Sequence, residues 1–152
     1  WTRRQAKLLR VLGKHPAGLP QGLDVSHIAE EIEDLGGAKL NAARSFIRQI
    51  LIHLIKAASE PKAEAFLHWR AETRAFSVEL KDTYLPSMRR SIDMQELWED
   101  ALGIAEARLQ ATGGDLPPDL PQRCPFALDE IVLRSFNFDE AFEKLLAARA
   151  RA

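Results

Sequence analysis

The sequence has one cysteine, Cys124, so it can form no internal disulfide and no zinc site built from cysteines. It has no apolar run near the roughly 20 residues that a membrane-spanning helix needs. Strand signals are missing too: there is no alternating β-branched run and no Asn-Gly or Asp-Gly hairpin turn. Neither sign of charge dominates, since 21 Lys and Arg stand against 22 Asp and Glu. That balance argues against a general nucleic-acid binder, which carries a basic excess. There is no phosphate loop, no dinucleotide fingerprint and no serine elbow, so no cofactor is expected. The opening WTRRQAKLLR is charged and amphipathic, unlike a secretory leader. Trp1 is an unusual start, and residues before it are expected in the natural protein. Together these features point to a bacterial, cytoplasmic protein.

The chain does carry helical periodicity almost everywhere. It is 152 residues long and 46% hydrophobic, enough for one domain, 1–152, with a real core. A first helix over about 1–12 places Trp1, Leu8, Leu9 and Leu12 on one side and stops at Gly13. After a loop broken by Pro16, Gly18, Pro20 and Gly22, Asp24 or Ser26 caps a second helix. Its Val25, Ile28, Ala29, Ile32 and Leu35 repeat at i, i+3, i+4, i+7, and Gly36-Gly37 predicts its end. The third helix, about 39–59, is apolar over more than half its circumference, which predicts a central position. Pro61 opens a fourth helix with Phe66, Trp69, Phe76 and Leu80 on a stripe, ending before Pro86. A fifth helix spans about 92–111. A short helix begins at Pro125 with Cys124 as its cap, and Asn137 with Glu140 opens the last. The fold class is all-α, a bundle of about six helices around the central apolar helix.

Four pieces occur in order: IAEEIEDLG (28–36), HLIK (53–56), PSMRR (86–90) and CPFALDEIV (124–132). In order and spacing the chain resembles the bacterial family known as domain of unknown function 29, over nearly its whole length. His27 departs from that pattern, which has an amide residue there. The resemblance implies an all-helical domain and no activity.

The run IAEEIEDLGG leaves three readings open. With Val25, Ile28 and Ile32 inward, His27, Glu30, Glu31 and Asp34 fall on the outer face, as a solvated helix surface would have them. The same face could dock a basic partner through Glu30, Glu31 and Asp34, as an antitoxin or regulator would. His27 and Glu31, at i and i+4, are spaced to share a metal ion, though the remaining ligands would have to come from elsewhere. Arg44 projects between Leu40, Ile47 and Leu51 and needs an acceptor. A tight Gly-Gly turn would make Glu33, or Glu30, its ion-pair partner.

Arg48 and His53 have four residues between them, a spacing that resembles the HEPN helical ribonucleases. In those enzymes an Arg and a His from each of two subunits line a composite site. On a continuous helix, however, positions five apart diverge by about 140°. A half-buried His53 beside Phe46 and Ala57, bonded to a neighbouring helix, is the stronger reading. Arg70, Arg74 and Lys81 flank the aromatic stripe as a basic ridge, and His15 and His68 join no constellation. Cys124 at a helix start would have a lowered thiol pKa if exposed, but no His or acid lies near it in sequence. The favoured function is therefore a non-enzymatic interaction or assembly module, with a homodimer expected through Phe138 and Phe142.

Overall fold

Helix follows helix in the computed structural model, which describes residues 2–15, 17–62, 64–133 and 136–151. The elements are α1 (Thr2–Gly13), α2 (Val25–Ser59), α3 (Phe66–Thr83), a 3-10 helix (Pro86–Ser91), α4 (Met94–Gln110), α5 (Leu128–Val132) and α6 (Phe138–Arg149). Among the described residues there is no strand.

The helix expected to stop at Gly36-Gly37 does not stop. α2 runs 35 residues from Val25 to Ser59 and includes both glycines. A glycine ends a helix by turning to positive φ. Only Gly18, Gly22 and Gly113 do so among the described residues. The two helices expected on either side of the Gly-Gly pair are therefore one, and the antiparallel turn between them does not exist.

The chain divides into two compact units, Trp1–Asn41 and Ala42–Ala152, with the division inside α2. The first unit is a helical hairpin. Asp24 caps α2, its Oδ1 accepting from the His27 amide at 2.9 Å. Among the described residues of this unit, only small or β-branched side chains are buried: Ala6, Val25 and Ala29. Gly36 lies at the closest approach, where an added Cβ would sit 2.8 Å from Thr2 Cβ. Arg10 closes one flank by pairing with Glu33 at 2.8 Å. The turn before α2 needs glycine at Gly18 and Gly22, whose φ values are +89° and +88°.

The second unit is built around the end of α2. Ile47, Ile50, Leu51, Ile52, Leu54 and Ile55 are wholly buried. With the buried His53 they cover most of the helix circumference, so neighbours must pack on most sides of it. α3 covers one side with Trp69, Thr73, Ser77 and Leu80. The buried hydroxyls there are satisfied by their own helix, Thr73 donating to Trp69 O at 2.8 Å and Ser77 to Arg74 O at 3.1 Å. Pro61 lies in the turn before α3, not inside it. α4 is capped by Asp93, whose carboxylate accepts from the Gln95 amide at 2.8 Å. Trp98 on α4 is fully buried, and its indole N–H donates to Pro121 O at 2.9 Å, which pins the breaker-rich loop.

Two further expectations are corrected here. α5 starts at Leu128, after Pro125, so Cys124 caps no helix. Its thiol is half-buried and donates to Phe126 O at 3.4 Å, and burial pushes its pKa up, not down. Phe138, expected at a dimer contact, is buried in its own unit. Its ring stacks on Phe142 at 6.0 Å and meets Phe66 edge-on at 5.8 Å. The first turn of α6 points inward, and the aromatics there close the core.

Candidate functional site

In the hairpin the acidic run lies mostly in solvent. Glu30, Glu31 and Asp34 are exposed. His27 and Glu31 face each other at 3.7 Å, both mostly exposed. Among the described residues no group of three or more His, Cys, Asp or Glu is placed to hold a metal ion. Glu33 is committed to Arg10. Arg44 therefore takes a different acceptor from the one expected: it pairs with Glu96 of α4 at 2.6 Å. The expected pair depended on a turn at Gly36-Gly37.

The hairpin also leaves much apolar surface in water. Leu8, Val11 and Leu12 of α1, Leu23, and Ile28 and Leu35 of α2 are all exposed. Leu8 and Leu12 are a turn apart, and Ile28 and Leu35 two turns apart, so each set is a stripe. Arg10 and Glu33 mark one flank of the hairpin, and helical geometry puts both stripes toward the other.

In the second unit, the structure does not bring Arg48 and His53 together. Arg48 Nη1 donates to Asp100 of α4 at 3.3 Å. His53 turns to α3, as five-residue spacing on an unbroken helix requires. It is 4% exposed. Its Nδ1 lies 2.7 Å from Gln49 O and its Nε2 2.7 Å from Glu72 Oε2. A carbonyl only accepts, so Nδ1 carries a proton, and the contact with Glu72 needs a second on the Nε2–Oε2 line. Burial pushes the His53 pKa below its usual value, against the pull of the Gln49 carbonyl and the Glu72 carboxylate. His68 reaches the same Glu72 oxygen at 3.3 Å from the solvent side. Beside it Lys56 lies over the Trp69 ring, 4.5 Å from its centre, its pKa lowered by burial and then by Arg108. His53 has no hydroxyl or thiol partner among its hydrogen bonds. The arrangement ties α2 to α3.

The basic ridge has more shape than its sequence suggested. Arg70, Arg74 and Lys81 line one wall of a groove of about 700 Å³ along α3. Leu67, Ala71 and Val78 share that wall, and residues 136–139 form the opposite one. Leu67 is 70% exposed. Arg70 is paired with Asp139 across the groove. Arg74 and Lys81 form no ion pair among the described residues. The i, i+4, i+11 spacing of the three cations was legible, but the facing wall was not.

The family profile described as "Domain of unknown function DUF29" matches residues 1–137. The chain belongs to the DUF29 family. Its fold is similar to a crystal structure of an alpha-helical protein of unknown function from Rhodospirillum rubrum. The TM-score is 0.86 and the identity 35%, over 99% of this chain and 91% of that one. No protein with a curated function matches this DUF29 chain. The resemblance carried by the acidic run and the PSMRR and CPFALDEIV pieces is thus to the family the chain belongs to, and that family is uncharacterised.

Proposed function

We propose that the protein is a non-enzymatic assembly module that pairs with a second copy of itself through the N-terminal hairpin. The observation that carries this reading is the apolar flank formed by Leu8, Leu12, Ile28 and Leu35. Among its described residues the hairpin buries only the apolar side chains of Ala6, Val25 and Ala29, too little for so much exposed leucine and isoleucine. Charge selects the occupant. α1 carries Arg3, Arg4, Lys7 and Arg10 and no acid. From Val25 to Ala38, α2 carries Glu30, Glu31, Glu33 and Asp34 and no Lys or Arg. A two-fold axis parallel to the helices lays α1 of one copy over α2 of the other, antiparallel, as in a four-helix bundle, with Arg4 and Lys7 near Glu31 and Asp34 at its outer edge while Arg10 and Glu33 stay paired within each hairpin. The acidic run then serves as one edge of a self-complementary surface.

Sedimentation equilibrium tests it. A dimer at micromolar concentration is expected, dissociating in Leu8→Glu and in Leu35→Glu while the helical circular dichroism signal is kept. A clean monomer across that range overturns the proposal, as does a dimer that both substitutions leave intact.

A further inference from the structure

We infer that the groove along α3 is a binding site for an acidic peptide with apolar side chains, presented by a partner protein. This inference rests on a different surface from the hairpin and stands or falls without it. Three properties of the groove specify the ligand. The first is charge: three cations and one carboxylate leave it net positive in a chain whose formal net charge is −1. Arg70 is already neutralised by Asp139, but among the described residues Arg74 and Lys81 pair with no acid. On one face of a helix, seven residues apart, they lie about 10 Å apart along the axis. An extended peptide rises about 3.3 Å per residue, so two carboxylates about three residues apart meet both cations.

The second property is the wall between the cations. Val78 lies between Arg74 and Lys81 and is 49% exposed, and Leu67 stands free at the other end. An aliphatic surface between cations favours a ligand that alternates charge with apolar groups. The third is size. About 700 Å³ accommodates a handful of residues and lies within the range of formed ligand pockets. A single-stranded nucleic acid fits less well. Strand binders stack bases on open aromatic faces. In this groove Phe138 is buried against Phe66 and Phe142, Phe136 is half-buried, and the Asp139 carboxylate on the facing wall would repel a phosphate backbone.

The test is a cellulose-bound array of degenerate eight-residue peptides. Each has Asp or Glu at two positions three apart and Leu, Ile, Val or Phe at the positions between. A matched array carries Asn or Gln in place of the acids. The full chain, fluorescently labelled, is expected to bind a subset of acidic spots and none of their amide counterparts. The best spots, remade as soluble peptides, should weaken at least tenfold against Arg74→Glu/Lys81→Glu, whose melting curve should stay close to wild type because Arg74 is exposed, Lys81 is only half-buried and both line the open groove. Leu67→Asp should weaken them as well. Absence of any acidic spot above the amide array overturns the inference. So does binding that survives the double charge reversal. A twelve-residue oligothymidylate that binds tighter than the peptides and is lost in the double variant assigns the groove to nucleic acid instead. Hairpin variants such as Leu8→Glu should bind the peptides normally, which separates this result from the fate of the dimer.

Discussion

Thr2 stands where a side chain on Gly36 would have to go: a Cβ built at Gly36 meets Thr2 Cβ at 2.8 Å, while one built at Gly37 meets nothing within 4 Å. Two adjacent glycines in the same helix thus have opposite roles. Gly37→Ala should raise the melting temperature, since alanine in a helix interior is worth about 1 kcal/mol over glycine. Gly36→Ala should lower it or loosen α1, because the gain in propensity is smaller than the cost of forcing two helices apart. Paired thermal melts read the sign of each. Stabilisation by both would mean that α1 does not pack where it is described.

The tie between α2 and α3 predicts a second pattern. Glu72→Ala leaves the buried Nε2 of His53 without a partner and should cost about 1–3 kcal/mol. His68→Ala, with an exposed ring, should be near neutral. Chemical denaturation of the two variants separates them, and equal effects would remove His53 from the tie.

The same histidine predicts a pH dependence. Its folded pKa lies below the usual value, so between the two values the unfolded chain binds more protons. That contribution to stability is present above about pH 6.5 and is lost as pH falls below it. Wild type should therefore lose stability between pH 7 and pH 5, and His53→Leu should flatten that part of the curve. Stability rising over the same interval would show the carboxylate and carbonyl to outweigh burial.

Arg149 gathers three acceptors near the C-terminus of α6. It donates to both Asp119 oxygens, at 3.2 Å from Nε and 2.9 Å from Nη2, and to Ala58 O at the end of α2. Arg149→Met should destabilise by about 1–3 kcal/mol, chiefly through the orphaned carbonyl. The guanidinium also holds the Asp119 carboxyl below the ordinary carboxylate range, as Lys144 does for Glu130. These contributions are complete above the unfolded carboxylate range and vanish as pH falls through the lower folded values, below about pH 4. The gap between wild type and Arg149→Met should narrow there by the share that Asp119 carries, leaving the share of the carbonyl. A constant gap down to pH 2 would rule out the Asp119 pairing.

The sequence by itself determined the helical class, the apolar centre over 39–59 and most helix starts. Those follow from period, caps and prolines, which act over a few residues. Asn137 caps α6 as its type predicts, its Oδ1 accepting from the Asp139 amide at 2.9 Å. Only the tertiary structure decided what each polar or small residue faces. Gly36-Gly37 read locally as a stop, yet α2 runs through both, and at Gly36 the missing side chain lets Thr2 pack close. Arg44 found Glu96, and Arg70, Arg74 and Lys81 became a groove wall, through residues 52 to 69 positions away. Phe138 turned inward because Phe66 waits there. Such pairings depend on how the chain returns on itself, and helical periodicity carries no record of which face meets which.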